Sequence, residues 1–263
     1  MQHLEEVYAD INELVGEPTD PSSGEVMNLW KSKIQSPPLR TIQYIIDVKL
    51  NRMILARGMS LLGFRDDMTF SGLEFMNLFH ENQRLLLIYQ TLSIYEIFLS
   101  DPDLIKRSNP IYCTSRGMKD KSGNYWLVHQ TATPIQYDEK GHVVKYYNEY
   151  RVLGKYRGEA LETNIYTSPE LVQEQRQLNI KMDGIKSRMI HVLGFTLKTG
   201  IILESMARGT SKKDMLELIE AKSTRTIDYH RRKILDAGKE AFPLNDFRSA
   251  SDVVDYLVRQ KII

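Results

Sequence analysis

Between Thr210 and Leu235 the chain reads TSKKDMLELIEAKSTRTIDYHRRKIL, and Arg225, Arg231, Arg232 and Lys233 gather there beside Thr224, Thr226, Tyr229 and His230. Cationic side chains neutralise phosphates, a planar guanidinium can also pair with guanine, and hydroxyls donate to phosphate oxygens. That mixture suits a surface that meets nucleic acid. It is also the composition of an ordinary solvated helix face, so the surrounding pattern must decide. An α-helix advances about 100° per residue. On that wheel Ile227, His230 and Ile234 fall on one side with Arg231 at its margin, while Asp228, Tyr229, Arg232 and Lys233 point the other way. Thr224 and Thr226 sit at the N-terminal end, where hydroxyls and free N–H groups can hold a phosphate.

Four short helices are expected to position these residues. LKTGIILESMARG closes at Gly209, a glycine where helices commonly end. SKKDMLELIEAK opens with Ser211 as N-cap and Asp214 three residues on, an acidic variant of the capping box. STRTIDYHRRKILDAG follows after a short turn and is expected to end at Gly238. SASDVVDYLVRQ begins at Ser249 or Ser251 and sets Val253, Val254, Leu257 and Val258 on one side. Two short helices joined by a tight turn and framed by further helices make a helix-turn-helix arrangement.

This region resembles the LuxR-type helix-turn-helix of bacterial transcription regulators. The family pattern, roughly G-x-S-N-K-E-I-A followed by T-V-K-x-H-R-x-x-I, is met by Gly209, Ser211, Lys213, Asp214, Met215, Thr226, Ile227, His230, Arg231 and Ile234. DFRSASDVVDYLVRQKII resembles the family's last helix. The resemblance implies that Asp228, Tyr229 and Arg232 face base edges in a major groove. It places Lys212, Lys213, Thr224, Arg225, Thr226 and Lys233 near the phosphate backbone. Two departures stand out. One extra residue lies between Gly209 and Thr226, in EAKST. Asp228 occupies a position where the family commonly has lysine; a carboxylate there repels the backbone but can accept from a cytosine amino group.

Bulk properties set the frame. The 263 residues are 42% hydrophobic and 26% charged with a formal net charge of +1, ordinary for a globular chain. Attraction to nucleic acid must therefore come from local clustering. A length of this kind holds two modest domains. The single cysteine, Cys113, excludes an internal disulfide framework and fits a reducing compartment. Residues Leu4, Val7, Tyr8, Ile11, Leu14 and Val15 form an amphipathic stripe rather than a signal peptide. The most apolar stretch, Leu85–Leu99, is interrupted by Gln90 and Glu96 and is too short to span a bilayer. A cytoplasmic protein is expected.

From Thr41 to Leu153 strands and helices mix. TIQYIIDVKL and RMILARG read as strands joined at Asn51–Arg52. GLEFMNLFHENQRLLLIYQTLSIYEIFLSD is mostly helical. NPIYCTSRGMK, NYWLVHQTATPIQY and HVVKYYNEYRVL read as three more strands, turned by DKSGN and DEKG. Two strands, helices and a three-strand meander give an antiparallel sheet with helices on one face. The stretch resembles a PAS domain, on GMSLLGF, KDKSGNYW and ATPIQYDEKGHVVKYYNEYRVL taken in order. That resemblance implies a five-stranded sheet that senses a small ligand or supports protein contacts.

Beyond Tyr156 the chain is expected to be helical. Ser168 and Pro169 are suited to cap a helix whose Leu171, Leu178, Met182, Ile185, Met189 and Val192 recur at helical steps. The seam serves either a dimer coiled coil or packing on the sheet.

The expected fold is an α+β PAS-like domain with a five-stranded antiparallel sheet (37–156), preceded by a helical extension (1–36). A linking helix (157–193) and an all-α helix-turn-helix domain (194–263) follow. The function expected is a sequence-specific DNA-binding transcription regulator, cytoplasmic and homodimeric, with double-stranded DNA and a small-molecule ligand as partners. No membrane partner is expected. The alternative is a protein-interaction module whose helix-turn-helix no longer binds DNA. No catalytic constellation or metal spacing is evident, so an enzyme is not expected, and the cofactor is left unknown. Cys113 lacks the flavin-linked cysteine motif. His80 reads as a turn residue rather than a haem ligand, and Met53, Met59, Met68 and Met76 as core or pocket filling.

Overall fold

The computed structural model describes Ile34, residues 38–260 and residues 262–263, the side chains of residues 92 and 185–192 excepted. The helix expected over Leu4–Val15 lies outside the described residues. Of those described, residues up to His80 together with Thr91–Met182 form one compact unit; Glu81–Gln90 with Asp183–Ile263 form a second.

The first unit is built on β1 (Thr41–Asp47), β2 (Arg52–Arg57), β3 (Ile111–Lys119), β4 (Tyr125–Tyr137), β5 (Val143–Lys155) and β6 (Glu162–Tyr166). Between β2 and β3 run α1 (Gly72–Met76), α2 (Glu81–Ser100) and α3 (Pro102–Ser108). The sheet is antiparallel throughout, in the order β2-β1-β5-β4-β3-β6. The first five strands are those expected from alternation.

The sixth corrects the five-stranded expectation, because β6 pairs with β3 from Ile111↔Tyr166 to Ser115↔Glu162. It is a five-residue edge strand whose Thr163 and Ile165 turn inward. Its apolar content is too small to stand out beside the helical pattern that comes after it.

Both predicted hairpin turns wind around an aspartate. Asp120 accepts from the backbone N–H of Ser122 (2.9 Å) and Asn124 (2.8 Å), and Asp138 from those of Lys140 (2.9 Å) and His142 (2.9 Å). These side chains imitate a turn of backbone, which is why Asx residues favour such positions. At the β4–β5 pair the register shifts between Pro134 and Gln136. Proline has no N–H to give the ladder, and a local irregularity accommodates it.

The helix after β6, α4, spans Val172–Val192, so Ser168 is not its cap. Pro169 and Glu170 instead occupy a turn closed by the Leu171 N–H on the Ser168 carbonyl at 2.9 Å. Gln175 then ties the helix to the sheet, accepting from the Thr167 N–H (2.8 Å) and donating to the Ile165 carbonyl (2.8 Å). Leu178 and Met182 are buried within one chain, which fits the packing alternative for this half of the seam. The side chains of Ile185, Met189 and Val192 lie outside those described.

The second unit contains α5 (Leu197–Ala207), α6 (Lys212–Leu218), α7 (Thr224–Ala241) and α8 (Ala250–Arg259). Thr196, Ser211, Ser223 and Ser249 cap these helices, each accepting from a backbone N–H in the first turn. Ser249 and Asp252 form a full capping box, which decides between the two candidate caps. Gly209 follows α5 at φ 70, a left-handed conformation that only glycine adopts without steric cost.

Gly238 does not end α7, which continues to Ala241. A Cβ at Gly238 would lie 2.5 Å from Val253 Cγ2 and 2.7 Å from Cγ1. The residue is glycine because α7 and α8 approach closely there, not because the helix stops. Ile202, Leu203, Ile227, Ile234, Val253 and Leu257 are fully buried between the helices. Burying each such side chain is worth roughly 1.5–3 kcal/mol. Val258, expected inside with its neighbours, is 44% exposed.

Candidate nucleic-acid interface and a cavity in the sheet unit

Helix α7 divides as its periodicity implies. Ile227, His230 and Ile234 are buried, Arg231 is half-buried, and Asp228, Tyr229, Arg232 and Lys233 are exposed. Thr224 and Arg225 are exposed at its first turn, and Thr226 is half-buried. Lys212 and Lys213 are exposed at the start of α6. The cationic and polar groups singled out in sequence are thus open to solvent, Thr226 and Arg231 in part.

His230 belongs to the core. Its Nδ1 is hydrogen-bonded to the Thr199 hydroxyl at 2.8 Å, which joins α7 to α5. Burial lowers its pKa, and the nearby Lys233 and Lys198 ammonium groups lower it further. The ring is held neutral, as suits a side chain that packs beside Ile227 and Ile234.

On the outer face two interactions tie the charged side chains down. Lys212 Nζ lies 3.2 Å from Asp228 Oδ1. Lys233 Nζ sits 5.0 Å from the centroid of the Tyr229 ring, a cation–π contact. Tyr229 is 56% exposed, a large aromatic surface to leave in water at the middle of a helix. The Asp228 that departs from the expected pattern thus has a cationic partner sixteen positions back in α6.

The turn between α6 and α7 holds the extra residue noted in sequence. Ile219 is buried, and Glu220 has φ 54, in the left-handed region. The Ala221 N–H donates to the Leu216 carbonyl at 2.9 Å and closes α6 over this turn. A non-glycine residue pays a steric cost at such a φ.

In the first unit, helices and sheet line a partly open cavity of about 120 Å³. Its floor is the inward face of the central strands, including Tyr44, Arg116, Gln130 and Tyr146, and its roof includes Phe75, Phe79 and Phe98. Sequence reasoning missed Arg116, Tyr44, Tyr112, Gln130 and Tyr146 as site residues. Alternation places Tyr112, Thr114, Arg116 and Met118 on one face of β3, but nothing local says that this face is inward.

Of the four methionines offered as pocket filling, Met76 lines the cavity, while Met53 and Met59 are buried in the core and Met68 is half-buried. His80 lies between Tyr125 (4.5 Å between centroids) and Tyr156 (4.8 Å), its ring tilted to both. Cys113 is buried, which pushes its thiol pKa up. Among the described residues no group of His, Cys, Asp or Glu side chains is placed to hold a metal ion, and no helix is long and apolar enough to cross a membrane.

No family model matches the chain, and no curated protein matches it. Solved structures with partial likeness include the phage VqmA–DPO complex, 14% identical over 90% of each chain with a TM-score of 0.28. Another is the Vibrio cholerae VqmA dimer in the absence of target DNA, 11% identical over 90% of this chain and 88% of that one, TM-score 0.28. A third is the N-terminal domain of a diguanylate cyclase with PAS/PAC sensor from Marinobacter aquaeolei, 11% identical over 43% of this chain and 95% of that one, TM-score 0.32. At TM-scores this low the likenesses carry no weight.

Proposed function

We propose that the chain is a ligand-responsive, DNA-binding transcription regulator. The N-terminal α+β unit is a PAS-type sensor and the C-terminal helices are a LuxR-type helix-turn-helix. Helix α7 enters a major groove with Asp228, Tyr229 and Arg232 toward base edges. Lys212, Lys213, Thr224, Arg225, Thr226 and Lys233 lie along the phosphates. The protein acts in the cytoplasm as a homodimer, because one short recognition helix contacts only a few base pairs and two half-sites supply the remainder.

The observation that carries this reading is the division of α7. One side is sealed by Ile227, His230 and Ile234, and the other presents Tyr229, Arg232 and Lys233 to solvent, with Lys212 of α6 against Asp228. The test is selection of bound genomic fragments by the purified protein, followed by titration of the best fragment at two salt concentrations. An enriched, two-fold-symmetric site with steeply salt-dependent affinity is expected, since each neutralised phosphate releases a counterion.

A second reading, a protein-interaction module, is favoured by one observation. The Lys212–Asp228 ion pair cancels a cation on the very face that would meet phosphates. No enriched fragment and no salt-dependent binding by a folded protein would establish that reading instead.

A further inference from the structure

Arg116 lies on β3 with only 4% of its surface exposed, yet its Nε has no acceptor. Among the described residues no carboxylate forms an ion pair with it, and the cavity it lines contains no Asp or Glu. Its guanidinium carbon lies 4.8 Å from the Phe79 ring centroid and 5.5 Å from that of Tyr150. Such aromatic faces attract a desolvated cation but supply it with no counter-charge. Removing a cation from water is costly unless it is paired. An anion hydrogen-bonded to the open Nε would provide that counter-charge.

Other unpaired groups line the same cavity. The Tyr112 and Tyr146 hydroxyls and Gln130 Oε1 are buried without partners, although nearly all buried polar atoms in folded proteins have one. Burial pushes the Tyr146 phenol well above its ordinary pKa, so it stays a neutral O–H donor. Gln130 Nε2 is already engaged with Asn148 Oδ1 at 2.5 Å, leaving the Gln130 carbonyl to accept from a ligand. The cavity thus offers a cation and two hydroxyl donors to an oxyanion, and one acceptor to an N–H or O–H.

Size and walls narrow the class further. The cavity measures about 120 Å³, below the roughly 150 Å³ of a closed apolar cavity that admits benzene. It is partly open to solvent, so one ring is the most it takes, with part of the ligand's surface left outside. Phe75, Tyr95 and Phe98 supply flat apolar walls. Resting on the sensor reading of this unit, we propose that the cavity binds a small single-ring carboxylate. The carboxylate is held by Arg116 with Tyr112 and Tyr146, and the ring lies among the aromatic side chains.

Isothermal titration of the full chain with benzoate and with its neutral isostere benzamide tests this directly. Benzoate is expected to bind at least about tenfold more tightly than benzamide. Arg116→Met, which fills the space without the charge, is expected to reduce benzoate affinity about thirtyfold or more and to leave benzamide unchanged. Should Arg116→Met not fold, Tyr146→Phe provides the second variant, with a severalfold loss for benzoate alone.

Equal binding of the two probes, benzoate binding unaffected in either folded variant, or no benzoate binding by the wild type would overturn the proposal. The titration contains no DNA. Benzoate binding without enriched fragments therefore keeps the ligand class and removes the DNA reading, whereas enriched fragments without benzoate binding remove the ligand class alone.

Discussion

Lys212 Nζ and Asp228 Oδ1 stand 3.2 Å apart, joining the first turn of α6 to the exposed face of α7. Both side chains are about half exposed, so the pair adds at most about 1 kcal/mol to stability. Its larger consequence is electrostatic. It occupies a cation that would otherwise be free to meet a phosphate.

Asp228→Asn should therefore release Lys212 and strengthen binding to all DNA sequences. Fluorescence anisotropy on the selected fragment and on a scrambled one, across a salt series, reads both effects. The expected result is higher affinity on both and a log–log salt slope steeper by about one. Loss of affinity confined to the selected fragment would instead make Asp228 a base reader.

Arg232 and Lys233 are adjacent but should behave differently. Arg232→Ala is expected to cost about 1–3 kcal/mol on the selected site and to relax its sequence preference. Lys233→Ala should weaken binding about equally on all sequences. Equal affinities for both variants and the wild type would remove α7 as the docking helix.

His230 makes stability depend on pH in a predictable direction. Its folded pKa lies below the ordinary 6.5 because of burial and the two neighbouring lysines. As pH falls through about 6.5 the unfolded chain takes up a proton that the folded chain resists, so stability is lost. Above about pH 7.5 this group contributes no pH dependence. Urea midpoints between about pH 5 and 8 should fall on the acid side for the wild type and flatten in His230→Gln. An unchanged acid slope in that variant would assign the effect to other groups.

Gly238→Ala tests the close approach of α7 and α8. Helix propensity alone would favour alanine by about 1 kcal/mol. The clash with Val253 should outweigh it and destabilise the unit by about 1–3 kcal/mol. Combining it with Val253→Ala should recover part of that loss in denaturant unfolding, because the second change removes the atoms that collide.

Much of the architecture was legible because its signals are local. Alternation marked β1 to β5, aspartate-centred turns marked the hairpins, serine caps marked α6 and α8, and Gly209 marked the end of α5. The inner and outer faces of α7 followed from its period alone, and with them the outward position of Asp228, Tyr229, Arg232 and Lys233.

Tertiary structure decided what depends on distant partners. The strand β6 exists because the open edge of β3 accepts it, not because LETNIY announces itself. Gly238 reads as a helix stop until Val253 is seen against it. Asp228 looks like a defect in a basic surface until Lys212 is found beside it. Arg116 sits in a strand whose two faces are both plausible interiors, and only the packed sheet turns it inward beside Phe79 and Tyr150. Periodicity and capping report a segment's own preferences. Which side chains meet across the fold is set by register and packing, and there the sequence carries no local mark.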